Sequence, residues 1–169
     1  MPTYMHIDRT DVTAEKETQV QFRRSTLPFS DEVREIEKEI EKDPENCLLW
    51  MKKGIALSKQ SLFVEAIEAY SMGLSYNPFH ALTYRHRGHR YISVRRYPEA
   101  AADLELSARL DPTNWDTWYH LGLAYYLMGD YRRAAKAYQS CLDITKSEDL
   151  LVAIVDWYWL AAKRLGDVK

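Results

Sequence analysis

Apolar and polar positions recur in this chain with a helical beat, and the beat itself repeats. Between Asp31 and Lys42, Val33, Ile36 and Ile40 form one apolar stripe at helical spacing, and the other faces alternate acids with Arg34, Lys38 and Lys42. Ser30 offers an N-cap, and Asp31 and Glu32 lie in the first turn, where the helix dipole favours acids. Asp43-Pro44 ends this element, because a residue before proline avoids helical angles. Beyond it the pattern takes a period of 34 residues: Gly54, Gly88 and Gly122 keep that interval, as do Pro44, Pro78 and Pro112. An aromatic precedes each glycine by four residues (Trp50, Tyr84, Trp118), and an alanine follows by twelve (Ala66, Ala100, Ala134). Such a period predicts stacked helix pairs over 47–80, 81–114 and 115–146. Gln60-Ser61, Arg95-Arg96 and Gly129-Asp130 mark the turns within pairs, and Asn77-Pro78 and Asp111-Pro112 the turns between them.

The pattern resembles the tetratricopeptide repeat, W-x2-L-G-x2-Y, then A-x3-F, then P. The third repeat reads Trp118, Leu121, Gly122, Tyr125, Ala134 and Tyr138. The first reads Trp50, Gly54, Ala66, Tyr70 and Pro78, and the second Tyr84, Gly88, Tyr91, Ala100, Leu104 and Pro112. Lys53 and Arg87 replace the leucine in the first two, and Lys146 stands where the third would have its proline. The resemblance covers about residues 47–146 and implies an all-α, right-handed α-solenoid. It also implies that the first helix of each pair lines a concave groove receiving extended peptides or helices.

Both ends depart from the repeat. Residues 30–43 read as a second helix without its first, a capping half-repeat. Residues 149–169 open with an apolar helix in which LLVAIVDWYWLAA carries Asp156 as its one charge, although the terminal cap of a stack should keep a polar outer face. Leu165-Gly166-Asp167 echoes the turn at Gly129, 37 residues earlier, so the expectation is a fourth repeat begun, with three extra residues in the loop near 143–149. Ile154, Trp157, Tyr158 and Trp159 are the candidate association surface, for another part of a longer protein or for a second copy. Residues 1–29 form an N-terminal arm without helical period, in which Val20 and Phe22 alternate with polar residues as an extended strand in a groove would.

Composition adds boundaries. The chain has 169 residues, 46% hydrophobic and 28% charged, which is ample for a globular core, and six glycines and six prolines suit a helical protein. A net charge of −2 supplies no general attraction to nucleic acid or membrane. Cys47 and Cys141 are too few for a disulfide framework and read as small packing residues. The absence of a basic start followed by an apolar core, and of any long uncharged apolar run, gives the expectation of a cytoplasmic protein without membrane contact.

Catalytic patterns are not found: there is no phosphate-cradling glycine loop, no Gly-x-Ser-x-Gly and no HExxH, so no enzyme and no cofactor are expected. The unusual constellation is Ala81–Tyr97, which holds Arg85, Arg87, Arg90, Arg95, Arg96, His86 and His89 and no acid. Carried over from the resemblance, the groove positions are Met51, Lys52 and Ile55, then Arg85, His86 and His89, then Tyr119, His120, Leu123 and Tyr126. Leu48, Lys59, Leu82, Ile92 and Asp116 complete its walls. That groove is apolar and aromatic with a basic middle, suited to a protein or peptide segment with apolar anchors and carboxylates. The family's carboxylate clamp for chaperone tails needs lysine, asparagine and arginine, where this chain has Met51, Ile55, His86, Asp116 and His120. The three histidines fit partly exposed groove residues that titrate near neutrality better than a metal site. The reading is therefore non-catalytic protein binding in the groove. Its alternatives are assembly through the apolar C-terminal helix and, third, nucleic-acid binding by the arginine-rich second repeat.

Overall fold

The computed structural model describes residues 24–166. Among them are eight helices and no strand: α1 (Asp31–Lys42), α2 (Cys47–Lys59), α3 (Phe63–Tyr76), α4 (Ala81–Ser93), α5 (Tyr97–Leu110), α6 (Trp115–Leu127), α7 (Tyr131–Ile144) and α8 (Glu148–Leu165). Short polar side chains set the starts of α1, α2, α6 and α7. Ser30 Oγ accepts from the Val33 amide, Asn46 caps α2, Asn114 caps α6 and Asp130 caps α7. The two tryptophans explain why the inter-repeat proline and the aromatic keep step. Trp50 Nε1–H donates to the Pro44 carbonyl at 2.7 Å, and Trp118 Nε1–H to that of Pro112 at 2.9 Å.

The turns within pairs repeat in atomic detail. Ser61, Arg95 and Gly129, 34 residues apart, all take the left-handed conformation, with φ of 60°, 59° and 78°. Each pair then closes over its glycine. A β-carbon on Gly88 would lie 2.7 Å from Leu104 Cγ, and one on Gly122 would lie 2.7 Å from Tyr138 Cε1. Ala66, Ala100 and Ala134 are fully buried beside these contacts, so the glycine–alanine spacing is what lets paired helices touch.

The apolar core divides. One cluster joins α1, α2 and α3 through Val33, Ala56, Leu57, Leu62, Ala66 and Tyr70. The other joins α5 to α8 through Leu104, Leu121, Tyr125, Tyr138, Cys141 and Ile154. Between them, α4 buries only Thr83 and Gly88 completely. Its link across the stack is polar: Arg87 donates to both oxygens of Asp103, at 2.7 and 2.8 Å, and to Ser71 Oγ at 3.0 Å. Cys47 and Cys141 are both free, and Cys141 is buried with its Sγ 3.2 Å from the Trp115 carbonyl oxygen.

Two expectations change at the ends. The three extra residues do not lengthen the connection before α8, which is only 145–147; they fall within α8, which has 18 residues against 13 for α6. Glu148 and Asp149 in its first turn favour that extension. Gly166, at φ 77°, then ends α8 as a left-handed C-cap. The proposed extended strand at Val20 and Phe22 lies outside the described residues. Residues 24–29 occupy neither the groove nor the apolar end: they lie against α3, where Arg24 bonds Glu68 and the Ser25 amide donates to Glu65 at 2.7 Å.

Candidate functional site

The first helices α2, α4, α6 and α8 touch one another in succession, whereas the second helices α3, α5 and α7 do not. The layer of first helices is therefore the shorter, inner surface of the curved stack, and the groove lies on it. At one edge Leu48 and Leu82 are 47% and 40% exposed, large apolar side chains in the first turns of α2 and α4. Lys52 is exposed beside them, while Met51 and Ile55 pack half-buried against the N-terminal core.

The middle of the groove is an imidazole floor. His89 of α4 and His120 of α6 stand with ring centroids 4.0 Å apart, and His86 stacks on Tyr70 at 5.8 Å. Tyr119 meets His120 edge-on at 5.4 Å. His120 Nδ1 lies 2.8 Å from the Asp116 carbonyl oxygen, which can only accept, so Nδ1 carries the proton and donates. Arg85 Nη1 donates to His86 Nδ1 at 3.1 Å, which fixes that ring with its proton on Nε2. Burial, with Arg85 and Arg90 adding repulsion, pushes His86 down to about 4 and His120 to about 3. Burial and His120 bring His89 to about 2. The floor is thus uncharged at neutral pH, where the sequence suggested histidines titrating near neutrality.

The basic middle is also smaller than the arginine count suggested. Arg85 forms an ion pair with Asp116 of α6, Arg87 is held by Asp103 on the far side of α4, and Arg96 pairs with Glu99 at 2.7 Å. Arg90 lies over the Phe63 ring at 4.9 Å. Asp116 is the residue whose role sequence reasoning missed. The repeat phase contained it: Asp116 matches Leu82 one repeat earlier, three residues before Arg85 on the neighbouring helix. Arg85 retains one unmet need, since its Nε is buried without a hydrogen-bond partner. Among the described residues, no three histidines, cysteines or acids gather as metal ligands.

Farther along, Leu123 and Tyr126 are half-buried, and Tyr126 is covered by Tyr131 and Trp157, with centroids at 5.3 and 5.2 Å. The α8 surface differs from expectation. Ile154 is 1% exposed and belongs to the core, and Trp157 turns inward to stack on Tyr138 at 6.4 Å. Tyr158 is half-buried, and the outward stripe is Val152, Val155 and Trp159, at 66%, 47% and 44% exposure. No described helix is long and apolar enough to cross a membrane.

Comparison with known proteins adds a family signal. Residues 88–154 match the family model described as "Tetratricopeptide repeat". The chain is similar to the Hsp70-Hsp90 organizing protein of Triticum aestivum, 30% identical over 121 residues that make up 69% of this chain and 21% of that protein. It thus spans about a fifth of that relative's length, the 21% just given. Among solved structures, MamA superposes with a TM-score of 0.74 at 24% identity, covering 80% of this chain and 77% of that one. The first tetratricopeptide domain of Spaghetti (RPAP3), bound to the HSP90 peptide SRMEEVD, gives 0.67 at 20% identity over 72% of this chain and 94% of that one.

Proposed function

We propose that this chain is a tetratricopeptide-repeat protein that works without catalysis, by holding an extended segment of a partner protein against its concave face. The exposed apolar pair Leu48 and Leu82, with Lys52 beside it on the inner layer of first helices, carries this reading. Leu48 and Leu82 supply apolar contact on one side, and Tyr119 and Leu123 on the other. The Spaghetti domain holds a peptide rich in carboxylates, whereas here Met51, Ile55, His86, Asp116 and His120 occupy the clamp positions. We therefore assign a segment with apolar anchors rather than an acidic tail. Pairing of Arg85, Arg87 and Arg96 with acids argues against phosphate backbones as the ligand. A cytoplasmic location accords with this reading.

The test is affinity capture with Leu82→Glu combined with Lys52→Glu, two exposed changes that should leave helicity intact by circular dichroism. Partner recovery should fall about tenfold or more, as for loss of one or two anchor contacts. Equal recovery by the variant would remove the assignment. The exposed Val152–Val155–Trp159 stripe favours a second reading, self-association through α8. A strict monomer by sedimentation velocity at high concentration would eliminate it.

A further inference from the structure

The corner where a second helix meets the next pair recurs three times in the stack, and it is treated differently each time. In the first repeat, Lys53 takes the signature leucine position and reaches Glu37 of α1 at 2.7 Å. Residues 24–29 fill the rest. Arg24 Nε donates to Glu68 at 3.1 Å, Ser25 N–H donates to Glu65 at 2.7 Å, and the Phe29 ring lies 5.9 Å from Lys53 Nζ. In the second repeat the Arg87 guanidinium fills the corner, stacked 5.6 Å from Tyr84 and 5.8 Å from Tyr91 and tied to Asp103.

In the third repeat none of the described residues fills it. Leu121 has no donor to offer Glu105, the counterpart of Glu37, and Tyr125 donates its hydroxyl to Glu105 instead. A cavity of about 410 Å³ remains, lined among others by Glu105, Arg109, Trp118, Tyr125, Arg133 and Lys136. The corner at the first repeat retains about 240 Å³ after Arg24 and Phe29 have entered. The cavity walls carry the reverse charge of the occupied corner: Arg133 stands at the phase of Glu65, and Lys136 at that of Glu68. Arg133 is partly engaged, by Asp130 at 2.6 Å, Glu105 at 3.8 Å and the Tyr125 ring at 4.4 Å. Lys136 has no ion pair among the described residues, and Arg109 reaches Glu105 only at 3.7 Å.

We infer that this cavity is a second docking site, on the side of α6 away from the concave face, for an acidic segment of a partner protein with an aromatic anchor among its carboxylates. The chain's own residues 24–29 supply the precedent, since a basic residue and an aromatic seat themselves at the acidic version of the same corner. The basic version takes the opposite charge, with the aromatic ring lying over Trp118 and Tyr125 and the carboxylates meeting Lys136, Arg133 and Arg109.

The test uses fluorescein-labelled Glu-Glu-Phe-Glu-Asp and a control, Lys-Lys-Phe-Lys-Arg, titrated with the full chain by anisotropy. The acidic peptide should bind, weaken with added salt, and change tryptophan fluorescence; the control should not bind. Lys136→Glu with Arg109→Glu, both exposed, should weaken binding about tenfold or more. Leu82→Glu on the concave face should leave it unchanged, which separates this site from the groove. Equal binding of both peptides, full affinity in the Lys136→Glu, Arg109→Glu variant, or competition by inorganic phosphate alone would overturn the assignment. So would a wild-type dimer that the same variant dissolves, because the occupant would then be a second copy.

Discussion

Acidification to pH 5 should destabilise this fold through its imidazole floor. His86, His89 and His120 are held neutral at about 4, 2 and 3, against 6.5 for an unperturbed histidine. A depressed histidine means the folded chain binds fewer protons than the unfolded one, so stability falls as pH drops below about 6.5 and is complete above it. At pH 5 each site lies about 1.5 pH units below the unfolded value, worth roughly 2 kcal/mol at about 1.36 kcal/mol per unit, or roughly 6 kcal/mol for three. The Asp116 carboxylate, 3.2 Å from His120 Nδ1, offsets part of this once that ring is charged, while Arg85 and Arg90 oppose protonation. The expected net loss is about 3–5 kcal/mol, a large part of the ~5–15 kcal/mol that holds such a domain together. Urea unfolding followed by circular dichroism at pH 7.5 and pH 5.0 measures it. The His86→Asn, His89→Asn, His120→Asn variant should lose most of the pH dependence, whatever its own stability. A wild-type change under about 1 kcal/mol, or an undiminished change in the variant, would refute the reasoning.

Gly122→Ala should lower stability by about 1–3 kcal/mol in a thermal melt, because the new methyl lands 2.7 Å from the Tyr138 ring that closes the third pair. Arg87→Met should cost about 3 kcal/mol by leaving the buried Asp103 carboxylate unpaired, and Arg87→Met with Asp103→Leu should recover most of it in a double-mutant cycle. Ser61→Gly should stabilise by roughly 0.5–1 kcal/mol, since Ser61 holds φ 60° at the phase where the third repeat has Gly129. A destabilised variant in a urea titration would contradict that assignment.

The fold was legible because the repeat writes its contacts into fixed intervals. Gly54, Gly88 and Gly122 mark close approaches, Trp50 and Trp118 hook the turn carbonyls, and both kinds of contact are local enough to survive in spacing alone. The site was less legible, because charge and burial depend on neighbours across the stack. The arginines of α4 looked like a basic surface until Asp116 and Asp103, from α6 and α5, were placed against Arg85 and Arg87. Burial of His120, 8% exposed, follows from Tyr119 and His89 on either side, and no count of histidines contains that. On α8 composition did not resolve the exposed face: of the four residues expected there, Ile154 and Trp157 turn inward while Trp159 stays exposed. A helix apolar nearly all round gives no amphipathic direction, so only packing tells Ile154 from Val155.

The polar seam at α4 bears on how the molecule transmits force and information along its length. Two hydrophobic blocks, one from α1 to α3 and one from α5 to α8, are joined through a helix that couples them by a guanidinium, imidazoles and thin apolar contact. Such an arrangement makes the centre the weakest joint of the stack. At pH 5 the folded rings stay neutral and protons are taken up only where α4 opens, so acid lowers the cost of opening there first. Amide exchange recorded residue by residue at pH 5 would therefore report two melting units, with the break falling in the helix that lines the centre of the groove.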